Sequence, residues 1–314
     1  MPNNPLKIAC YGEILWDIFP DKKHLGGAPL NVALRLHSFG VDVSMISTLG
    51  NDALGKEALT EIKETGLKTK YIQRNDKPTG QVTVTLDSKK AASYEIGDNA
   101  AWDEIAWNED NVEAVTNADA LIIGSLAFRE SVNFDAMLLD MEEEITPPIN
   151  LEAIEVLIER SKFTVFDLNL RAPHYDLEVV VGLMEAATMI KLNDEELELV
   201  VMAMGIEAET LEDELKMLSA MTETPTVCVT LGAEGAMLLH KGGIHTQVGF
   251  KTKVVDTVGA GDSFLATLVY GLLSGETADD ALEVACAMGS LVAGKPGANP
   301  LVHNDEVNNV LDNN

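Results

Sequence analysis

The chain has 314 residues, enough for one large or two modest domains, and its 46% hydrophobic content supports a sizeable core and excludes disorder. The 22 basic and 51 acidic residues leave a formal charge of −29, a field that repels nucleic acid and anionic membrane surfaces and sets both aside as partners. No apolar run reaches the length of about 20 residues that a membrane span needs. The N-terminal residues carry one lysine and then read as a strand, not as a secretory signal, so a cytoplasmic location is expected. Cys10, Cys228 and Cys286 are far apart in apolar runs, which reads as buried free thiols rather than a disulfide or a metal site.

In chain order, Leu6–Tyr11 reads as a strand, and Gly12–Gly27 then shows no helical period and ends in a glycine pair. A helix over Leu30–Phe39, a strand over Val43–Leu49 and a helix over Ala53–Thr65 follow. Gln81–Leu86 alternates apolar and polar residues, Asp87–Lys90 reads as a turn and Ala91–Ile96 as the return strand of a hairpin. Ala120–Gly124 is apolar throughout, and Asp140–Asn150, with two prolines, reads as a surface connection. Strands at Phe163–Leu168, Met189–Leu192 and Thr226–Leu231 then alternate with helices at Leu177–Ala187 and Glu195–Met204. Lys251–Val255 reads as a further strand, leading to an apolar helix at Ser263–Leu273. Strands without alternation are buried on both faces. The pattern predicts an α/β fold, a doubly wound, mostly parallel sheet flanked by helices, as one domain over residues 1–314. The segments 12–27 and 79–102 interrupt the rhythm and predict a small β-sheet lid.

Three tempting motifs fail. Gly50–Glu57 nearly matches the phosphate loop G-x-x-x-x-G-K-[ST], but Glu57 stands where a hydroxyl must reach Mg²⁺. Gly259-Ala260-Gly261 lacks the third glycine of a dinucleotide fingerprint, and the six histidines show no zinc-ligand spacing.

Asp256-Thr257-Val258-Gly259-Ala260-Gly261-Asp262-Ser263-Phe264 is the most informative run. Small residues at 259 to 261 let a ligand approach the backbone, and free N–H groups at a helix start form an anion trap. Asp262 in the first turn would repel a phosphate if binding were the only task. It makes sense as the base that takes a proton from a hydroxyl attacking that phosphate. Taken alone, Gly-Ala-Gly-Asp would be a helix cap. Elsewhere, Asp17 is a polar residue beside Gly26 and Gly27, where backbone N–H groups are open to a ligand. Asn31 near a helix start is either an N-cap or a ligand. Arg171 at a strand end offers a forked donor set for phosphate oxygens, and Lys191, at the end of the next strand, is a second cation. Asp194, Glu195 and Glu196 beside a strand end suit Mg²⁺ held through water.

The nonamer matches D-T-x-G-A-G-D-x-F at every fixed position and resembles the C-terminal signature of the PfkB, or ribokinase-like, carbohydrate kinases. The resemblance extends from about Lys7 to Val302. Gly26-Gly27-Ala28-Pro29-Leu30-Asn31 is similar to the family's glycine-rich signature, and Gly12–Asp17 to its sugar-binding turn. Asn193 and Glu196 match N-x-x-E; Thr230, Gly232 and Gly235 match the nucleotide turn T-x-G-x-x-G. The resemblance implies a ribokinase-like fold and ATP as cofactor with Mg²⁺. It makes Asp262 the base, with the backbone of Gly259, Ala260 and Gly261 and the side chain of Arg171 on the transferring phosphate. Asp17, Gly26, Gly27 and Asn31 would hold the sugar. Lys191, Asn193, Glu196, Thr230, Gly232 and Gly235 would serve the nucleotide, with Glu196 also serving Mg²⁺. Asp256 and the carbonyl of Val258 stand where relatives bind K⁺, and a homodimer through the β lid is the relatives' common assembly.

Tyr94-Glu95-Ile96, Ala101-Trp102-Asp103 and Asp167–Arg171 resemble the fructokinase branch, so fructose is the expected acceptor. Leu30 and Leu168 depart from that branch, which more often has alanine and proline there, and ribose, 2-keto-3-deoxygluconate and nucleosides stay open. A non-catalytic sugar or nucleotide sensor of the same fold is the reading from another class. A sensor has no need of Asp262 or of the acidic cluster at 194–196.

Overall fold

The computed structural model describes residues 5–86, 92–133 and 148–313. The first nine strands are β1 (Lys7–Tyr11), β2 (Leu15–Ile18), β3 (Lys23–Gly26), β4 (Asp42–Gly50), β5 (Ile72–Asn75), β6 (Gly80–Leu86), β7 (Ala92–Ile96), β8 (Ala120–Gly124) and β9 (Thr164–Asp167). The last four are β10 (Met189–Asn193), β11 (Thr226–Thr230), β12 (Gly235–His240) and β13 (Gly243–Val248). The helices are α1 (Ala28–Ser38), α2 (Ala53–Glu64), α3 (Glu109–Asn117), α4 (Ile149–Ile158) and α5 (Leu177–Glu185). They continue with α6 (Asp194–Ala203), α7 (Leu211–Met221), α8 (Ala260–Ser274), α9 (Ala278–Ala293) and α10 (Asn304–Asp312).

A nine-stranded sheet runs in the order β13-β12-β11-β10-β9-β8-β1-β4-β5. It is parallel from β11 to β5, and β12 and β13 join antiparallel at one edge. Successive side chains of β1 face opposite ways: Ile8 and Cys10 enter one apolar cluster, Ala9 and Tyr11 the other. The first cluster packs the sheet against α1, α2, α8, α9 and α10 through Leu36, Ile62, Leu265, Leu282 and Val307. The second packs it against α3 to α7 through Val115, Ile154, Val180, Leu197 and Leu215. Both faces of the sheet are therefore covered, as the apolar strands require. The three cysteines are buried free thiols.

The segments that interrupt the α/β rhythm form a separate sheet in the order β3-β2-β6-β7. Here β2 pairs antiparallel with β3 and parallel with β6, and β6 and β7 make the expected hairpin. The hairpin's turn and most of the 140–150 connection lie outside the described residues.

Two local expectations are corrected. Helix α1 begins at Ala28 with Gly27 as its N-cap, so Asn31 lies inside the helix and is not a cap. Residues 251–255 form no strand: the N–H groups of Val255 and Asp256 bond to the carbonyl of Ala293, at the end of α9, at 2.8 and 3.2 Å. A neighbouring helix end, not a strand, takes the donors at the end of that run.

Candidate active site

Helix α8 starts with Gly259 as its N-cap at φ 76°, and a methyl group on Gly259 would stand 2.1 Å from the Ala298 carbonyl. Only glycine tolerates both conditions. The Ala260 N–H bonds to the Thr257 carbonyl at 3.3 Å, while those of Gly261 and Asp262 find no acceptor among the described residues. These free donors lie at the positive end of a fifteen-residue helix, an arrangement that favours an anion. A methyl on Gly261 would lie 3.5 Å from Lys191 Nζ, so a buried ammonium sits directly beneath the turn.

Asp262 accepts a hydrogen bond from Asn31 Nδ2 at 2.8 Å. Burial, and then the Asp167 charge, push its carboxyl up to about 6, against the Asn31 bond, Lys191 and Arg171, which favour the ionised form. Lys191 pairs with Asp167 Oδ1 at 2.9 Å, both side chains less than a tenth exposed. Burial opposes the Lys191 charge, yet Asp167 and Glu196 hold the ammonium above its usual range. The other Asp167 oxygen is buried with no hydrogen-bond partner.

Of the residues expected to hold a sugar, Asp17 lies in β2 opposite His24 of β3, and a methyl on Gly26 would come 2.7 Å from Asp17 Oδ2. Burial lifts the Asp17 carboxyl to about 6, moderated by His24. Gly27, at φ 113°, bonds through its carbonyl to the Asn31 N–H at 2.9 Å. Asp17, Gly26, Gly27 and Asn31 are thus linked in one continuous stretch that reaches Asp262 through the Asn31 side chain.

The residues expected to serve a nucleotide divide. Asn193 caps α6 by accepting from the Glu196 N–H at 2.8 Å, and Glu196 returns a bond to the Asn193 N–H at 2.9 Å, a capping box. Glu196 also accepts from the Leu170 N–H at 2.8 Å, tying α6 to the segment that carries Arg171. Burial raises the Glu196 carboxyl and the nearby Lys191 opposes the rise. Arg171 is exposed and rests on the carbonyls of Leu170 and Asn169 at 2.9 and 3.3 Å. Thr230 ends β11, with its hydroxyl 3.4 Å from the Leu192 carbonyl. Gly232 has a positive φ of 55°. Gly235, at φ 106°, has a packing reason of its own, since a methyl there would stand 2.0 Å from the Gln247 carbonyl. Asp256 accepts from the Val258 and Gly297 N–H groups at 3.0 and 3.1 Å, pinning the approach to the turn.

Sequence reading passed over Glu13. It is 3% exposed, its Oε1 accepts from the Ala28 N–H at 3.0 Å, and its Oε2 is buried without a partner. Burial pushes its carboxyl up to about 7, with Asp262 raising it and Arg171 lowering it. Its place just beyond the C-terminal end of β1 was the available signal, because α/β folds collect ligands there. Arg129, a further cation near a strand end, is taken up by a buried pair with Asp103 at 2.7 Å and stacks on Trp102.

Residues 6–304 match the family described as pfkB family carbohydrate kinase. The chain is 27% identical to a fructokinase of Solanum tuberosum over 314 residues, covering 93% of this chain and 91% of that protein. Its fold is shared with the crystal structure of a 2-dehydro-3-deoxygluconokinase from Thermotoga maritima, with a TM-score of 0.79 and 24% identity over 98% of this chain and 99% of that one. A fructokinase from Xylella fastidiosa with bound ATP superposes with a TM-score of 0.78 and 21% identity, covering 98% of each chain. Glycine-bearing turn, half-buried carboxylate and full-length match agree, and the chain belongs to the pfkB family of carbohydrate kinases.

Proposed function

We propose that this kinase transfers the γ-phosphate of ATP to a primary hydroxyl of fructose. The observation that carries the reading is Asp262, a half-buried carboxylate held by Asn31 beside two unpartnered N–H groups at the start of α8. Asp262 takes the proton as the hydroxyl oxygen bonds to the γ-phosphorus and the bond to the β-phosphate oxygen breaks, releasing ADP. The free Gly261 and Asp262 amides of the Gly259–Asp262 turn, Lys191 beneath them and Arg171 stabilise the charge on the moving group, and positioning supplies much of the rate. Asp17, Gly26, Gly27 and Asn31 hold the sugar. Lys191, Asn193, Glu196, Thr230, Gly232 and Gly235 border the nucleotide.

The donor set fits Mg²⁺ carried in by the nucleotide rather than caged by protein. Glu196 already spends an oxygen on each of two backbone N–H groups, and no cluster of three metal-ligating side chains exists among the described residues. Glu196 would therefore hold the ion through water, and the ion would supply positive charge to the nucleotide's phosphates. A K⁺ site at Asp256 and the Val258 carbonyl belongs to the same proposal; replacing K⁺ by tetramethylammonium tests it. The small sheet β3-β2-β6-β7 closes over the sugar and keeps water from the phosphate. Its edge strands β3 and β7 offer a pairing surface for a homodimer, which sedimentation would detect.

Fructose is supported by the full-length likeness to a fructokinase. A coupled ADP-release assay over fructose, ribose, 2-keto-3-deoxygluconate and adenosine tests class and acceptor together. The highest kcat/KM is expected with fructose; a higher value with another acceptor overturns the substrate, and release with none overturns the reaction.

A further inference from the structure

Two residues one turn apart on α1, Asn31 and Arg35, each bridge the same two segments. Asn31 Nδ2 donates to Asp262 Oδ2 at 2.8 Å, and Asn31 Oδ1 accepts from Asn299 Nδ2 at 2.9 Å. The buried Arg35 donates through Nε to Ser263 Oγ at 3.1 Å and through Nη2 to the Pro300 carbonyl at 3.0 Å. Positions i and i+4 of one helix thus clamp residues 262 and 263 of α8 to residues 299 and 300 of the α9–α10 loop.

An amide side chain has one donor end and one acceptor end. Asn31 offers its donor to an ionised Asp262 without conflict because Asn299 supplies a donor to the opposite end. Asn299 makes one side-chain hydrogen bond among the described residues, to Asn31, and its own Oδ1 is buried without a partner. A buried acceptor without a donor is costly, so packing alone does not account for an amide at this position.

We propose that Asn299 is a positioning residue for phosphoryl transfer, acting through Asn31 to orient the Asp262 carboxylate toward the acceptor hydroxyl. The proposal rests on the reading of Asp262 as the base. The charged groups that also face Asp262 are Asp167 from β9, Lys191 from β10, Arg171 from the loop after β9 and Glu13 from beyond β1.

Asn299→Asp keeps the shape but presents an acceptor, so Asn31 turns over and offers Oδ1 to Asp262. Asn299→Ala removes the donor without adding charge and serves as the second variant if the first folds poorly. Two readouts on the full chain separate the questions. One is the titration of the Asp262 carboxyl by ¹³C NMR, its resonance identified by its absence in Asp262→Asn. The other is kcat and KM with ATP over the sugar panel. Asn299→Asp is expected to raise the Asp262 midpoint by about one pH unit and to lower kcat about tenfold, with KM for ATP within about twofold. Asn299→Ala shifts both in the same direction, kcat by about threefold. In an Asn31→Ala background each Asn299 change adds less than about twofold. An unmoved Asp262 titration, or equal effects with and without Asn31, overturns the proposal. If the unaltered chain phosphorylates no sugar of the panel, the base assignment fails by itself, and the titration still decides whether Asn299 orients Asp262.

Discussion

Gly27 lies so close to Glu13 that a methyl group on it would stand 2.3 Å from the Glu13 carbonyl oxygen. The same glycine carries φ 113° and caps α1, so its lack of a side chain fixes the angle at which the preceding backbone enters the helix. Gly27→Ala should lower stability by about 1–3 kcal/mol and raise KM for the sugar more than KM for ATP. Denaturant unfolding and steady-state kinetics measure the two effects. An unchanged KM for the sugar would remove Gly27 from the sugar side.

The Asp262 assignment makes a chemical and a pH prediction. Asp262→Asn should lower kcat by about 10²–10⁴ while calorimetry still detects sugar and nucleotide binding. Turnover near that of the unaltered enzyme would refute the assignment. Burial pushes the carboxyl up to about 6 and the base works only when ionised, so kcat/KM should fall about tenfold per pH unit below about 6. Because the folded-state value lies above the unfolded value of 3.8, the folded protein binds this proton more tightly. The stability that follows is fully present below pH 3.8 and is lost as pH rises through about 6. Asp262→Asn should therefore melt higher than the unaltered chain at pH 7.5, by a few degrees, with the gap closing in acid.

Lys191 and Asp167 form a buried pair whose remaining carboxylate oxygen has no partner. Lys191→Met would strand a buried charge and should cost about 3 kcal/mol of stability. Lys191→Met combined with Asp167→Asn should recover much of that loss, because neither residue is then charged. Both variants should lose activity, since the ammonium beneath Gly261 is gone in each. Full activity in the stable double variant would show that Lys191 serves only the fold.

Sugar binding should slow amide exchange in β2, β3, β6 and β7 more than in β8 to β11. Equal protection of the two sheets, or none in the small one, would end the lid reading.

Much of the fold was legible from periodicity. The apolar runs at 6–11, 120–124, 163–168, 189–192 and 226–231 could not face water on either side, and each became a strand of the covered sheet. The 81–86 alternation likewise dictated a strand, which pairs antiparallel with its return strand. Local pattern failed where the partner was remote: residues 251–255 look like a strand, but the N–H groups of Val255 and Asp256 go to the end of α9. It also misjudged the start of α1, where Gly27 caps the helix by backbone conformation and packing rather than with a side chain.

The sequence by itself determined the glycine-bearing turn, the carboxylate after it and the order of motifs, because backbone approach and helix-start chemistry are local properties. Tertiary structure alone decided that Glu13, Asp167 and Lys191 surround Asp262, and that Asn299 reaches it through Asn31. Those groups act through burial and through hydrogen bonds between residues more than 200 positions apart, which no local spacing encodes.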